Sequence, residues 1–333
     1  MKRILAFSLC MLMLVSAVLV GCGKTENNAD DAVADTAVKF GAGVYVSAPS
    51  VTDATEDKDG SGKLDVTVAA VTVDADGKIL SCALDTASGT VNFTMDGKAV
   101  EAGEFKTKYE LGDAYNMVAY GGAVQEWYAQ ADAFEALVAG KTLEEVKALV
   151  AEGNKGTEEV VNAGCTIMIN EFVGAIEKAY NAASAEVKSD AALKVNVVTE
   201  QTVSDAEEDK DGSNKLTVNV FAAACDAEGK VLAASSDCVE VAFTFDMNGI
   251  STLDTAKEVL SKKEQGDAYG MVAYGGAQKE WYEQAAAFDA ACVGKTADEI
   301  LALAAEDGTP SDDVQSAGGT INVAGFVKAA SKN

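Results

Sequence analysis

The sequence predicts an α+β fold built from two tandem copies of one module, with antiparallel strands first and helices after. Three observations carry this expectation. GDAYNMVAYGGAVQEWY from Gly112 to Tyr128 returns as GDAYGMVAYGGAQKEWY from Gly266 to Tyr282, and GKTLEEV at Gly140 returns as GKTADEI at Gly294, both 154 residues later. A unit of that length is too long for a solenoid repeat and suits a duplicated domain. Within each copy the hydrophobic period changes once, from strand-like alternation to helical spacing after the glycine pair. With 333 residues and 48% hydrophobic content, the chain is long enough for about two domains and can bury a core.

At the N-terminus, Lys2 and Arg3 precede an uncharged apolar run from Ile4 to Val20, the pattern of an export signal. Leu19-Val20-Gly21-Cys22 resembles the lipobox of bacterial lipoproteins. That resemblance implies removal of residues 1–21 as a signal peptide and a diacylglycerol on the Cys22 thiol, anchoring the chain in a lipid bilayer. The polar GKTENNADD that follows suits a flexible tether over residues 22–37.

The first module is expected over residues 38–184 and the second over 192–333, joined through the small, polar NAASAEVKSDAA from Asn181 to Ala192. EDKDG at Glu56 and Glu208 has the acids and glycine of a calcium loop, but position twelve falls on Val66 and Val218, which cannot ligate, so a hairpin turn is expected instead. LDVTVAAVTVDADGKIL, from Leu64 to Leu80, alternates like a half-buried hairpin around DADGK, and LTVNVFAAACDAEGKVL repeats it. Trp127, Phe134 and Val138 then share one helical face, and Trp281 is expected to pack in the core as Trp127 does. Thr142 with Glu145, and Thr296 with Glu299, are capping boxes that open further helices. A last helix is expected from about Asn170 to Tyr180 and again from about Ala324.

Charge and residue inventory narrow the function. Lys and Arg number 26 against 53 Asp and Glu, a formal charge of −27, which disfavours nucleic acid as a partner. There is no histidine, so hydrolase triads built on it are excluded. Beyond Cys10 and Cys22 the cysteines are Cys82, Cys165, Cys225, Cys238 and Cys292, an odd set without CxxC spacing, which fits buried apolar residues better than a zinc site or disulfides.

Two features remain as candidate sites. Tyr115, Met117 and Tyr120 beside Gly121 and Gly122, with Tyr269, Met271 and Tyr274 beside Gly275 and Gly276, form an aromatic loop suited either to a flat ligand or to covering the core. AGCTI, with Gly164, Cys165 and Thr166, recurs as AGGTI, with Gly318, Gly319 and Thr320. A threonine behind such a bend can accept a phosphoester or cap the helix that follows. Lys108 and Lys262 stand at equivalent positions before the loop, where each can neutralise a phosphate or remain a solvated surface charge.

Taken together, KYELGDAYNM, YGGAVQEWY, GKTLEEV and AGCTIMINEFVGAIEKAY resemble FMN-binding domains whose threonine is flavinylated by a dedicated FMN transferase. The likeness is to flavin lipoproteins of Gram-positive extracellular electron transfer, of the peptide pheromone-encoding type, and it covers both copies. It implies FMN on Thr166 and Thr320 through phosphoester bonds, two per chain. It further implies an electron carrier rather than an enzyme, on the extracytoplasmic face of the cell membrane, fed by a membrane NADH dehydrogenase or quinol. In the broader family the threonine follows Ser-Gly-Ala, whereas here Ala163 and Ala317 precede the glycine and Ile167 and Ile321 follow the threonine. The alternative from another class is a surface lipoprotein whose tandem modules grip a ligand noncovalently.

Overall fold

The computed structural model describes residues 37–332, so the expected signal peptide, Cys22 and the tether up to residue 36 lie outside the described residues. The first copy opens with β1 (Ala37–Val46), β2 (Ser50–Thr52), β3 (Gly60–Val73), β4 (Ile79–Phe93) and β5 (Ala99–Val100). Helices follow: α1 (Lys108–Leu111), α2 (Trp127–Val138), α3 (Leu143–Lys147), α4 (Glu158–Ala163) and α5 (Asn170–Ala182). β6 (Ala185–Lys188) comes next, and the second copy supplies β7 (Ala192–Ser204), β8 (Gly212–Cys225) and β9 (Val231–Phe245). Its helices are α6 (Lys262–Gln265), α7 (Trp281–Cys292), α8 (Ala297–Ile300), α9 (Asp312–Ser316) and α10 (Ala324–Ala330). The fold is therefore α+β with antiparallel sheets, strands preceding helices in each copy.

One sheet runs β5-β4-β3-β1-β6 with β2 also paired to β3, and the other runs β7-β8-β9. The long hairpins turn where the sequence places them. Asp74 accepts from the backbone N–H of Asp76 and Lys78 at 2.9 and 2.8 Å, and Asp226 does the same for Glu228 and Lys230 at 3.0 and 2.8 Å. These side-chain bonds stand in for backbone turns and fix the register of both hairpins. The EDKDG segments turn tightly as well, with Thr55 bridged to Lys58 and Glu207 to Lys210.

Burial departs from the half-buried pattern. The C-terminal half of β3, from Thr67 to Val73, is buried on both faces. One face meets helices: Ala69, Val71 and Val73 pack with Trp127, Phe134 and Phe172. The other meets the second copy: Val66, Val68 and Ala70 join Val218, Val220 and Ala222 of β8 in a shared apolar layer. Phe221, Ala223 and Cys225 in turn face Trp281, Phe288 and Phe326. The order is helices, sheet, sheet, helices. Covering a sheet on both faces removes the polar alternation an exposed face would require.

Contacts between the copies are reciprocal, as in a two-fold interface. Phe93 stacks on Phe245, its own counterpart, with ring centres 4.5 Å apart. Ala54 N donates to Gly249 O while Ala206 N donates to Gly97 O. Lys178 pairs with Glu264 while Lys332 pairs with Glu110. The segment expected to join the copies carries β6, which extends the first sheet by pairing with β1.

Candidate functional site

The turn bearing Thr166 begins at the end of α4. Gly164 adopts φ 107° and Gly318 φ 99°, left-handed values that side chains resist, so the glycine of each motif is required by the bend itself. The N–H groups of Gly164 and Cys165 return to the carbonyls of Val161 and Val160, and those of Gly318 and Gly319 to Gln315 and Val314. Behind the bend, Cys165 is buried in the helix-facing core while Thr166 is exposed. Gly319 replaces the cysteine in the second copy, where a Cβ would crowd Val314 at 2.9 Å and the Gln284 carbonyl at 3.0 Å.

Neither threonine caps a helix. The residue at the start of α5 is Ile169 and at the start of α10 Val323, with no side-chain cap at either. Instead, Thr166 donates both its N–H and its hydroxyl to Oε1 of Gln130, at 2.8 and 2.9 Å. Thr320 donates the same pair to Oε1 of Gln284, at 2.9 and 2.8 Å. Each glutamine is 1% exposed, and its Nε2 donates at 3.0 Å to the carbonyl of Gln125 or Lys279, which fixes which end of the amide faces the threonine. The hydroxyl proton is thus held inward and the oxygen lone pairs are left toward solvent.

The aromatic loop is tied to the same helix. Glu126, buried at the start of α2, accepts from the N–H of Met117 and Val118 at 2.9 and 3.0 Å, and Glu280 accepts from Met271 and Val272 at the same distances. Gly121 is needed by the loop's own turn, since a Cβ there would lie 2.7 Å from the Met117 carbonyl. Tyr115, Met117, Tyr269 and Met271 anchor the loop against the core, whereas Tyr120 and Tyr274 are 88% and 92% exposed. Of the predicted aromatic set, those two tyrosines alone turn their rings to solvent.

Lys108 and Lys262 sit on the core side of the loop. Lys108 lies 5.8 Å from the Tyr115 ring centre, 5.9 Å from that of Trp127 and 3.7 Å from the Asp65 carboxylate. Lys262 lies 5.4 Å from Tyr269, 5.8 Å from Trp281 and 3.0 Å from Glu240. Each is a cation over two aromatic faces with a carboxylate partner, which is an anchoring role within the module. Glu171, in the first turn of α5, accepts a hydrogen bond from Thr67, and burial together with nearby Asp65 raises its pKa.

The five described cysteines are free. Burial lifts Cys165 to about 11 and Cys238 to about 12, so both remain protonated and unreactive. Among the described residues no cluster of Cys, Asp or Glu is arranged to hold a metal ion, and no helix is long and apolar enough to cross a membrane.

Gln130 and Gln284 escape sequence reasoning because a glutamine inside an amphipathic helix reads as a solvated residue. The available signal was their recurrence just beyond the shared EWY, and Glu126 and Glu280 lie inside that motif. Comparison with protein-family models, curated proteins and solved structures finds no match.

Proposed function

We propose that this chain is a lipid-anchored, extracytoplasmic flavoprotein that carries electrons from a membrane NADH dehydrogenase or quinol to acceptors outside the cell. In this reading FMN is esterified through its phosphate to Thr166 in one copy and Thr320 in the other by an FMN transferase, and the chain is a carrier rather than an enzyme. The observation that carries the reading is the paired geometry at the threonines: an exposed hydroxyl, oriented by a buried glutamine, two residues behind an obligatory glycine bend, present in both copies. A threonine that served only as a helix cap would direct its oxygen to a backbone N–H, and these donate to a side-chain amide instead.

The residues fit a phosphodiester between flavin and threonine. An exposed oxygen with free lone pairs is open to attack phosphorus, with the Gln125 amide beside the Gly164 bend and the Lys279 ammonium beside that of Gly318. Forming the ester exchanges the pyrophosphate bond of a flavin dinucleotide donor for a P–O bond to Oγ1. The nucleoside monophosphate leaves with the bonding electrons, and the hydroxyl proton passes to a base of the transferase. Gln130 and Gln284 orient that proton and cannot take it, since an amide is not a base at neutral pH. The bound isoalloxazine supplies reversible electron transfer. Tyr120 and Tyr274 offer exposed aromatic faces near the same helices, and a covalent tether keeps an exported cofactor from diffusing away.

The test is production of the mature chain with an FMN transferase, followed by flavin fluorescence in a denaturing gel. Thr166→Ala and Thr320→Ala each leave a fluorescent band, and the double variant is dark. A dark band from the unsubstituted chain, with the transferase active on a control substrate, contradicts the proposal.

A further inference from the structure

Around the two acceptor turns the copies carry different charge. Lys279 stands where the first copy has Gln125. Its ammonium donates to the Ala317 carbonyl at 3.0 Å and lies so close to the bend that a Cβ on Gly318 would overlap it. One of the three ammonium donors is spent on that carbonyl. At the equivalent place in the first copy, the neutral amide of Gln125 lies beside Gly164, its Oε1 3.5 Å from where a Cβ would stand. The rims differ in polarity: Val124, Val161 and Met168, exposed at 91%, 46% and 63%, are replaced by the neutral amides Gln278, Gln315 and Asn322.

We infer that the second copy holds the stronger subsite for the phosphodiester, with Lys279 as the residue that contacts the phosphate beside Thr320. This deepens the flavin-carrier reading and rests on it. A cation at the bend stabilises the single negative charge of the phosphodiester and the charge that builds on phosphorus as it forms, and the neutral Gln125 offers no such charge in the first copy. The two positions therefore fill at different rates and hold their phosphates in different environments.

The experiment uses the full mature chain with transferase and a limiting flavin dinucleotide donor, following occupancy of each threonine by peptide mass over time. Thr320 fills about twofold to fivefold faster than Thr166, the range set by one partly exposed ion pair. Lys279→Gln removes the lead, Gln125→Lys raises the rate at Thr166, and added salt narrows the gap. A transferase that merely docks on Lys279 would give the same rates, so the ³¹P resonance of the finished protein is the second readout. Lys279→Gln shifts the signal of the Thr320 ester and leaves that of Thr166 in place. Equal filling rates, or a ³¹P signal indifferent to Lys279, overturn this inference alone. Flavin at neither threonine overturns it together with the covalent reading.

Discussion

The two threonine turns share their backbone bonds and their buried glutamine, yet the side chains around them have diverged. In the first copy Val124, Val161 and Met168 are exposed around the turn, with a buried thiol behind the threonine and Glu171 in the helix that follows. In the second the surroundings are polar and carry Lys279, with glycine in place of both the thiol and the glutamate. What orients the hydroxyl is kept, and what surrounds it is not. The comparison separates the machinery that positions a reactive oxygen from the surface that tunes what it meets.

The largest effect expected from breaking this comparison comes from the glutamines. Gln130→Leu leaves the Thr166 N–H and the Gln125 carbonyl without partners, at a cost of roughly 2–4 kcal/mol in unfolding free energy. It also abolishes flavin at Thr166 while Thr320 still fills, and Gln284→Leu does the reverse. Urea unfolding with site-resolved peptide mass checks both, and loss at both positions from one substitution would show that the glutamines act only on global stability.

Next comes a pair of buried carboxylates beside α1 and α6. Burial raises Asp85 to about 6, against its hydrogen bonds from Thr86 and Tyr109. Asp237 is raised too, but the Lys263 ammonium opposes the shift, where the first copy has Tyr109. A folded pKa above the unfolded value means that the folded state holds a proton which the unfolded chain has released. Stability from Asp85 is therefore fully present below about pH 4 and is lost as pH rises toward 6. Asp85→Asn flattens that window by on the order of 3 kcal/mol, and Asp237→Asn by less. Unfolding midpoints measured from pH 4 to 7 decide it, and an unchanged slope in Asp85→Asn refutes the assignment.

Smaller still is the seam between the sheets. A Cβ on Gly62 would overlap the Phe243 ring, whereas the counterpart Asn214 reaches across to the carbonyls of Asn92 and Val100 at 3.1 and 3.2 Å. Gly62→Ala costs roughly 1–2 kcal/mol through overpacking. Smallest is Asn154, which holds φ 64° where the second copy has Gly308. Asn154→Gly changes stability by less than about 1 kcal/mol, since relief of the left-handed strain is offset by greater freedom in the unfolded chain.

Local chemistry was legible in the sequence and the packing of copy on copy was not. The capping boxes at Thr142 and Thr296 form as the spacing requires, and Trp127, Phe134 and Val138 are buried along one face. Gly164 and Gly318 bend two residues ahead of an exposed threonine. Alternation in β3 suggests one wet face, because a sequence pattern cannot reveal that the covering surface is the chain's own second copy. Gly62 and Gly89 within β3 and β4 were the available hint, since a strand glycine marks close approach and these two meet Phe243 and Leu216. The turn at Thr166 was visible, but its glutamine was not, because burial of Gln130 depends on a segment 36 residues away.

The most direct measurement of the central claim is the intact mass of the mature chain isolated with its transferase present. The account predicts a mass increased by two FMN adducts, falling to one in either Thr166→Ala or Thr320→Ala. A chain carrying no adduct at either position contradicts it.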